Sequence, residues 1–399
     1  MSYYSIFISS VIFLIVMILN TGCTNDPSAL PEHVRNSKNL VVLTDQNSTT
    51  YSFELEKEVV FDDSLLIENI NGITTDSNGQ LYIAGESWGK RQVHIFQSDG
   101  NYLDSLGVFG TDMGEFQSID NIQIENEELL LFDSNLQRLT SFSLPDRSIS
   151  DTLGFNKSID LEEDKKSLLN FRSEPVSEID NENYLMKFRQ IRNPAYEPDG
   201  ILYFIRMNHN GEEQQKVAEF PDVSYVVGDY AGSPAAFSLP LPHKTVHHVS
   251  PCNKLFAAHT SEFFVRSFSL DDGSEGNSYY FSAEQFSLNP DEINHPRFSH
   301  NRQLLKVRES AIYPEYWPVL YSIISDDQNR IWVSKISENR ENLEWWIIDD
   351  NNQEVAGRIT LPISKNIAHI RNNKVYTIER DDMGFEIVVR YQLITRENI

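Results

Sequence analysis

Apolar and polar positions along this chain alternate in short bursts and never settle into long helical stripes. From Ile73 the sequence reads Ile-Thr-Thr-Asp-Ser-Asn-Gly-Gln-Leu-Tyr-Ile; after a polar break it resumes as Val-His-Ile-Phe-Gln-Ser-Asp-Gly, ending at Gly100. Leu81-Tyr82-Ile83 is too short for a helix and is bounded by turn residues, so it reads as a strand. Ser77-Asn78-Gly79 before it is hairpin chemistry, because Asn and Gly accept the positive φ of tight turns. Val93 to Ile95 supplies a third strand, and Asn101 to Leu106 a fourth, edge-like one. One sheet of this kind cannot bury both faces alone.

The same grammar returns at Ile323 to Val333, which reads Ile-Ile-Ser-Asp-Asp-Gln-Asn-Arg-Ile-Trp-Val. Ile73 matches Ile323, Asp76 matches Asp326, and Leu81-Tyr82-Ile83 matches Ile331-Trp332-Val333 without a gap. Two copies so far apart point to repeats of about forty residues. Four-stranded units at that period predict a β-propeller, with an ordinary β-sandwich as the alternative.

Taken in order, strand patterning begins at Leu40 to Phe61, and units follow at Ile70–Gly107, Ile119–Phe155, Phe171–Phe220, Thr245–Phe281, Val319–Pro362 and Ile367–Leu393. Asp160 to Asn170 is charged and reads as a helical insertion. Asn289-Pro290-Asp291-Glu292 reads as a helix start, with Asn as N-cap and Pro in the first turn, in an insertion expected to end near His295-Pro296. The last unit offers three strands, and its fourth is expected from Tyr51 to Val60, which would shut the ring and remove a sheet edge. The fold class is therefore all-β, a six-bladed propeller of four-stranded antiparallel blades closed by an N-terminal strand; five or seven blades stay open.

The first residues differ in character. Ile6 to Leu19 is almost wholly apolar, the length of a signal-peptide core and short for a permanent span. Leu19-Asn20-Thr21-Gly22-Cys23 follows and resembles the lipobox of bacterial lipoproteins, which implies acylation of Cys23. The expected organisation is a signal peptide over 1–22, a flexible tether over 23–39 and the propeller over 40–399. With only two cysteines, Cys23 and Cys252, an exported chain has no disulfide after lipidation. Cys252 reads as a small turn residue.

Composition narrows the partners. Fifty-nine acidic against 33 basic residues give a net charge of −26. That disfavours nucleic acid, whose phosphates need a basic face, and disfavours adhesion to anionic lipid without an acyl anchor.

The run from Ile73 to Gly100, continued by Gly107 to Phe116, resembles an NHL repeat. With its leader and tether the chain is similar to six-bladed, NHL/TolB-like propeller lipoproteins of Bacteroidetes-type bacteria. That resemblance implies the fold and a place in the cell envelope, anchored to the outer or cytoplasmic membrane and facing periplasm or exterior. It implies a binding platform; a minority of six-bladed relatives are lactonases with calcium in the central channel.

A calcium site needs six to eight converging oxygens. Channel positions at the starts of the innermost strands are expected near Asn71, Asp120, Thr245, Tyr321 and Ile367, of which Asn71 and Asp120 are suitable ligands. His248, with a partner such as His369, could hold a transition metal or simply be packed and hydrogen-bonded. Tyr313, Tyr316 and Trp317 fall in a Pro-rich loop that either displays a ligand surface or packs between blades. No serine-nucleophile elbow, phosphate loop or zinc-protease motif occurs. The expected function is a monomeric, lipid-anchored, non-enzymatic platform for a protein, peptide or glycan, without cofactor. Its candidates for ligand contact, at the channel mouth or in loops, are Asn71, Asp120, His248, Tyr316, Trp317 and Tyr321. The alternative is a calcium-dependent lactonase or esterase-like hydrolase; a purely structural envelope component is a third reading.

Overall fold

The computed structural model describes residues 30–397 except 46–50, 62–65, 88, 156–159, 162–165, 169, 181, 212–213 and 294–301. The apolar leader and Cys23 lie outside the described residues. Two compact units divide the chain between Ser37 and Lys38. In the first, part of the stretch expected to be a tether forms one helical turn, Glu32–Arg35. Pro31 supplies the reason: its fixed φ starts the turn, and its carbonyl accepts the amides of Val34 and Arg35 at 3.1 and 3.0 Å.

The second unit is a six-bladed propeller. Blade one comprises Ile67–Thr75, Leu81–Ser87, Lys90–Phe96 and Tyr102–Leu106; blade two, Asn121–Glu125, Glu128–Asp133, Arg138–Ser143 and Ile149–Gly154. Blade three comprises Phe171–Glu178, Asn183–Gln190, Ile201–Asn208 and Gln214–Pro221; blade four, Thr245–Ser250, Lys254–His259, Phe263–Ser269 and Glu275–Phe281. Blade five holds Leu320–Ser325, Arg330–Ile336, Asn342–Asp349 and Glu354–Pro362. Blade six holds Asn366–Arg371, Lys374–Arg380 and Glu386–Glu397, and Tyr51–Val60 is its fourth strand. That strand pairs antiparallel from Tyr51 opposite Glu397 to Val60 opposite Val389, as the sequence predicts.

Apolar side chains gather in each of the six interfaces between successive blades. Ile95 and Leu131 belong to the interface of blades one and two, Phe132 and Phe188 to two and three, and Phe204 and Leu255 to three and four. Val265 and Trp346 belong to four and five, and Trp345 and Val375 to five and six. The last cluster joins Tyr376 and Val388 of blade six to Ile73 and Leu81 of blade one, which shuts the circle. Trp345 and Trp346 are consecutive, and strand alternation sends them to opposite interfaces. Trp346 meets Phe281 with ring centroids 4.4 Å apart. The closing strand needs close approach: a Cβ on Gly357 of blade five would stand 2.2 Å from the Phe53 ring.

The repeat match holds at atomic detail. Asp76 accepts the amides of Asn78 and Gln80 at 2.9 and 2.8 Å, and Asp326 accepts those of Gln328 and Arg330 at 3.0 Å each. Each carboxylate thus ties the turn between first and second strands, which is why Asp recurs there.

Three sequence expectations change. Leu40–Val42 adds a fifth strand to blade four, parallel to Ser278–Tyr280. The charged stretch expected to be a helix carries instead a short antiparallel pair, Asp160–Leu161 with Lys166–Ser167; eleven residues without an apolar stripe are marginal for a helix. The insertion after blade four starts as expected, with Asn289 Oδ1 accepting the Asp291 amide at 3.0 Å. It does not end near His295-Pro296, because a second helix, Arg302–Glu309, follows before blade five.

Candidate functional site: the loop end of the ring

The innermost strand of every blade runs in the same direction, so the ring has two distinct ends. At one end lie the turns joining first to second and third to fourth strands. They are short and polar, as in Asp76–Gln80, Asn126–Glu127, Asp326–Asn329 and Asn372–Asn373, and Asn126, Glu127, Asn329, Asn372 and Asn373 adopt positive φ. Cys252 sits in one of them, exposed, beside an Asn253 amide that returns to the Ser250 carbonyl at 3.1 Å. At the other end lie the connectors between blades and the loops joining second to third strands. These are longer and carry structure of their own.

The largest such structure caps blades three to five. A hairpin, Val226–Tyr230 with Ser233–Phe237, packs against helix Arg302–Glu309 around Val226, Phe237, Leu239, Ile293, Val307 and Trp317. Gly228 permits the contact, since a Cβ there would lie 2.0 Å from the Val307 carbonyl oxygen. Asp229 donates its amide to Ser310 Oγ at 2.7 Å, and Ile312 donates its amide to the Val227 carbonyl at 3.2 Å.

The same end displays apolar side chains to solvent. Val108, Phe109 and Met113 stand on the connector from blade one to two, Ile191 and Tyr196 on a loop of blade three, and Tyr230 and Ile312 on the cap. Met383 stands on a loop of blade six. Their exposure runs from 37% at Tyr230 to 86% at Ile312. Of the ten large hydrophobics that are exposed among the described residues, these eight share the loop end; Val60 and Tyr102 lie on outermost strands, Tyr102 directly after a turn of the other end. Scattered single exposures are ordinary, but confinement to one end is a pattern that interaction surfaces show.

Of the residues expected at the channel mouth, Asn71 and Asp120 are brought together: Asn71 Nδ2 donates to the Ile119 carbonyl at 3.2 Å. Asp120 Oδ2 accepts from the Ser118 hydroxyl at 2.6 Å and the Ser134 amide at 2.7 Å. Thr245 donates to the Pro221 carbonyl at 2.6 Å. Tyr321 is half-buried, and burial raises its hydroxyl pKa; Ile367 is core. Among the described residues no three His, Cys, Asp or Glu stand close enough to hold a metal ion.

Deeper on the axis, His248 Nδ1 lies 2.9 Å from Ser325 Oγ, and His369 Nε2 lies 3.0 Å from Thr75 Oγ1. Burial pushes their pKa values down to about 4 and about 3 respectively, His369 being lowered further by His248 and Arg371. Both are the packed, hydrogen-bonded histidines of the plainer expectation. Trp317 is not displayed: it is 5% exposed, core to the cap, with the Arg340 guanidinium 5.2 Å over its ring. Tyr316 is half-buried, and its carbonyl lies 3.0 Å from His243 Nε2. The residues the sequence reading passed over are Phe109, Met113, Tyr196, Ile312 and Met383. They come from four loops far apart in sequence, and topology alone reveals that they share an end.

A family model described as a 6-bladed beta-propeller matches residues 59–215. No curated protein matches. Among solved structures the chain is similar to a protein of Bacteroides fragilis described as exported, at 12% identity and TM-score 0.44, over 90% of this chain and 100% of that one. It is also similar to the PQQ-bound aldose sugar dehydrogenase of Streptomyces coelicolor, at 10% and 0.44, over 87% and 100%. Virginiamycin B lyase from Staphylococcus aureus is matched at 10% and 0.40, over 86% and 100%. Identity this low transfers neither activity nor ligand.

Proposed function

We propose that this propeller is a non-enzymatic platform, held outside the cytoplasm by a lipid on Cys23, whose loop end docks a partner protein through an apolar contact surface. The carrying observation is the confinement of Phe109, Met113, Tyr196, Ile312 and their neighbours to that end. Aromatic, Met and Ile side chains are those that supply interface energy. They are interspersed with Asp112, Glu197, Asp229 and Asp381, and the chain carries −26, so an anionic bilayer is the poorer occupant. A protein surface with matching apolar patches and few acids fits best.

The test is crosslinking in intact cells. Lys90, Lys306 and Lys365 stand at the loop end, Lys254 and Lys374 toward the turn end. Crosslinks to another protein should form from the first group and disappear when Phe109, Tyr196 and Ile312 are replaced together by Ser. Crosslinks spread equally over both groups, crosslinks that survive the triple substitution, or loop-end lysines that react only with lipid would each contradict the reading.

A further inference from the structure

Beside the cap, at the loop end of the ring, two loops flank a polar pocket of about 480 Å³ that opens to solvent. One wall is the connector leaving blade four, with Gln285, Phe286 and Ser287, continued by Glu292 in the helical turn Pro290–Ile293. The other is the turn between the second and third strands of blade five, with Glu338, Asn339 and Arg340. Each wall is held by the chain's own bonds. On the first, the Trp317 amide donates to the Phe286 carbonyl and the Leu288 amide to the Glu315 carbonyl, both at 2.9 Å, which ties the connector to the cap. On the second, Asn339 Oδ1 accepts from Ser337 Oγ at 2.7 Å and from the Glu341 amide at 3.0 Å.

Arg340 joins the two walls. Its Nη2 lies 2.6 Å from Glu292 Oε2, its Nη1 donates to the Glu338 carbonyl at 2.9 Å, and its guanidinium carbon stands 5.2 Å over the buried Trp317 ring. Three contacts thus fix the guanidinium, and Glu292 cancels its charge. The other polar groups of the lining are open to a ligand. The Glu338 carboxylate and the Ser287 hydroxyl have no partner among the described residues. Gln285 spends its amide nitrogen on the Ser261 carbonyl at 3.3 Å, which leaves Oε1 as an acceptor. Asn339 has both its bonds on the oxygen, which leaves its amide nitrogen as a donor. Unspent donors and acceptors therefore stand together around one half-buried aromatic ring, Phe286.

We propose that this pocket binds a neutral sugar residue. Its volume falls in the range of small-ligand sites, roughly 300–1,000 Å³, but its lining is far more polar than the usual apolar one. A ligand must therefore offer donors and acceptors at short spacing. A hydroxyl is both, and a pyranose carries several on one ring, with a C–H face that suits Phe286. A cation is the poorer match, because the one carboxylate left uncancelled, Glu338, is exposed and such charges attract weakly in water. An anion would meet that carboxylate. The pocket is distinct from the exposed apolar residues that carry the docking reading and does not rest on them.

The test is calorimetric titration of the purified chain with D-glucose, D-galactose, D-mannose and N-acetyl-D-glucosamine, each free and as its methyl glycoside, with L-arginine amide as the cationic control. At least one sugar should saturate a single site with a dissociation constant of about 10 mM or tighter, unchanged between about 50 and about 500 mM salt. Glu338→Ala and Gln285→Ala should each weaken it about fivefold, and Lys306→Ala, on the cap, should leave it unchanged. Both pocket variants should melt with the parent, because the Glu338 side chain has no partner to lose and Gln285 only one long bond. Binding of the free sugar alone would mark a soluble saccharide as the ligand, and equal binding of the methyl glycoside the end of a longer glycan; either upholds the site. No saturation by any sugar up to about 50 mM, undiminished binding in either pocket variant, affinity that falls steeply with salt, or tighter binding of arginine amide would each overturn it.

Discussion

Single side chains set the conditions under which this ring is stable. His94, His248, His259 and His369 are all neutral in the fold. Burial pushes His94, His248 and His259 down to about 4 and His369 to about 3. An unfolded chain binds protons at these positions near pH 6.5, so stability is full above that value and falls as pH drops toward the folded-state values. Each imidazole contributes up to about 1.4 kcal/mol per pH unit in that window. Glu178 works in the opposite sense: burial and the charges of Glu125, Glu128 and Asp180 push it up to about 7. Four imidazoles outweigh one carboxyl. The urea midpoint should therefore fall between pH 7 and pH 5, and His369→Gln, which keeps a partner for Thr75, should flatten the slope. A midpoint that is constant or rises on acidification would show that the histidines are not held neutral.

Asp350 shows the converse arrangement. Burial alone would raise its pKa, but hydrogen bonds from Lys254 at 2.6 Å, Tyr279 at 2.6 Å and Asn277 at 3.1 Å lower it. These bonds cross from blade four to blade five and tie the two sheets. Their stabilisation is present above the ordinary carboxylate range and is lost at lower pH.

Among elements, Tyr51–Val60 decides whether the repeats form a closed body. Phe53 on that strand is 6% exposed and meets Trp332 edge-on with centroids 6.1 Å apart. Phe53→Ala should lower unfolding free energy by about 3–5 kcal/mol, read by urea titration of tryptophan fluorescence. A loss under about 0.5 kcal/mol would be the size of a surface change and would mean the strand is dispensable. This element was legible in advance because the last unit is one strand short and Tyr51, Phe53 and Leu55 alternate. Blades one and five were legible for a local reason, the turn-tying carboxylates of Asp76 and Asp326. The cap was not. Its hairpin is buried by a helix some seventy residues further on, and neither piece shows a periodicity that names its partner. Leu40–Val42 escaped for a related reason: three apolar residues carry no information about which edge they join in parallel.

At the scale of the whole molecule, closure by one strand makes every blade a neighbour of two others and leaves two ends with different chemistry. One end is tight, polar turns pinned by Asp and Asn. The other is made of longer connectors, on which eight exposed apolar side chains stand. The two ends can be compared within a single sample by oxidative footprinting. Met113 and Met383, each 70% exposed, and Tyr196, 71% exposed, report the loop end, while Tyr102, 37% exposed on an outermost strand, reports the flank. The expected result is strong oxidation of all four in the purified chain, and protection of Met113, Met383 and Tyr196 but not of Tyr102 in intact cells. Equal oxidation of the loop-end residues in both settings, or protection of Tyr102 alongside them, would contradict a docking surface at that end.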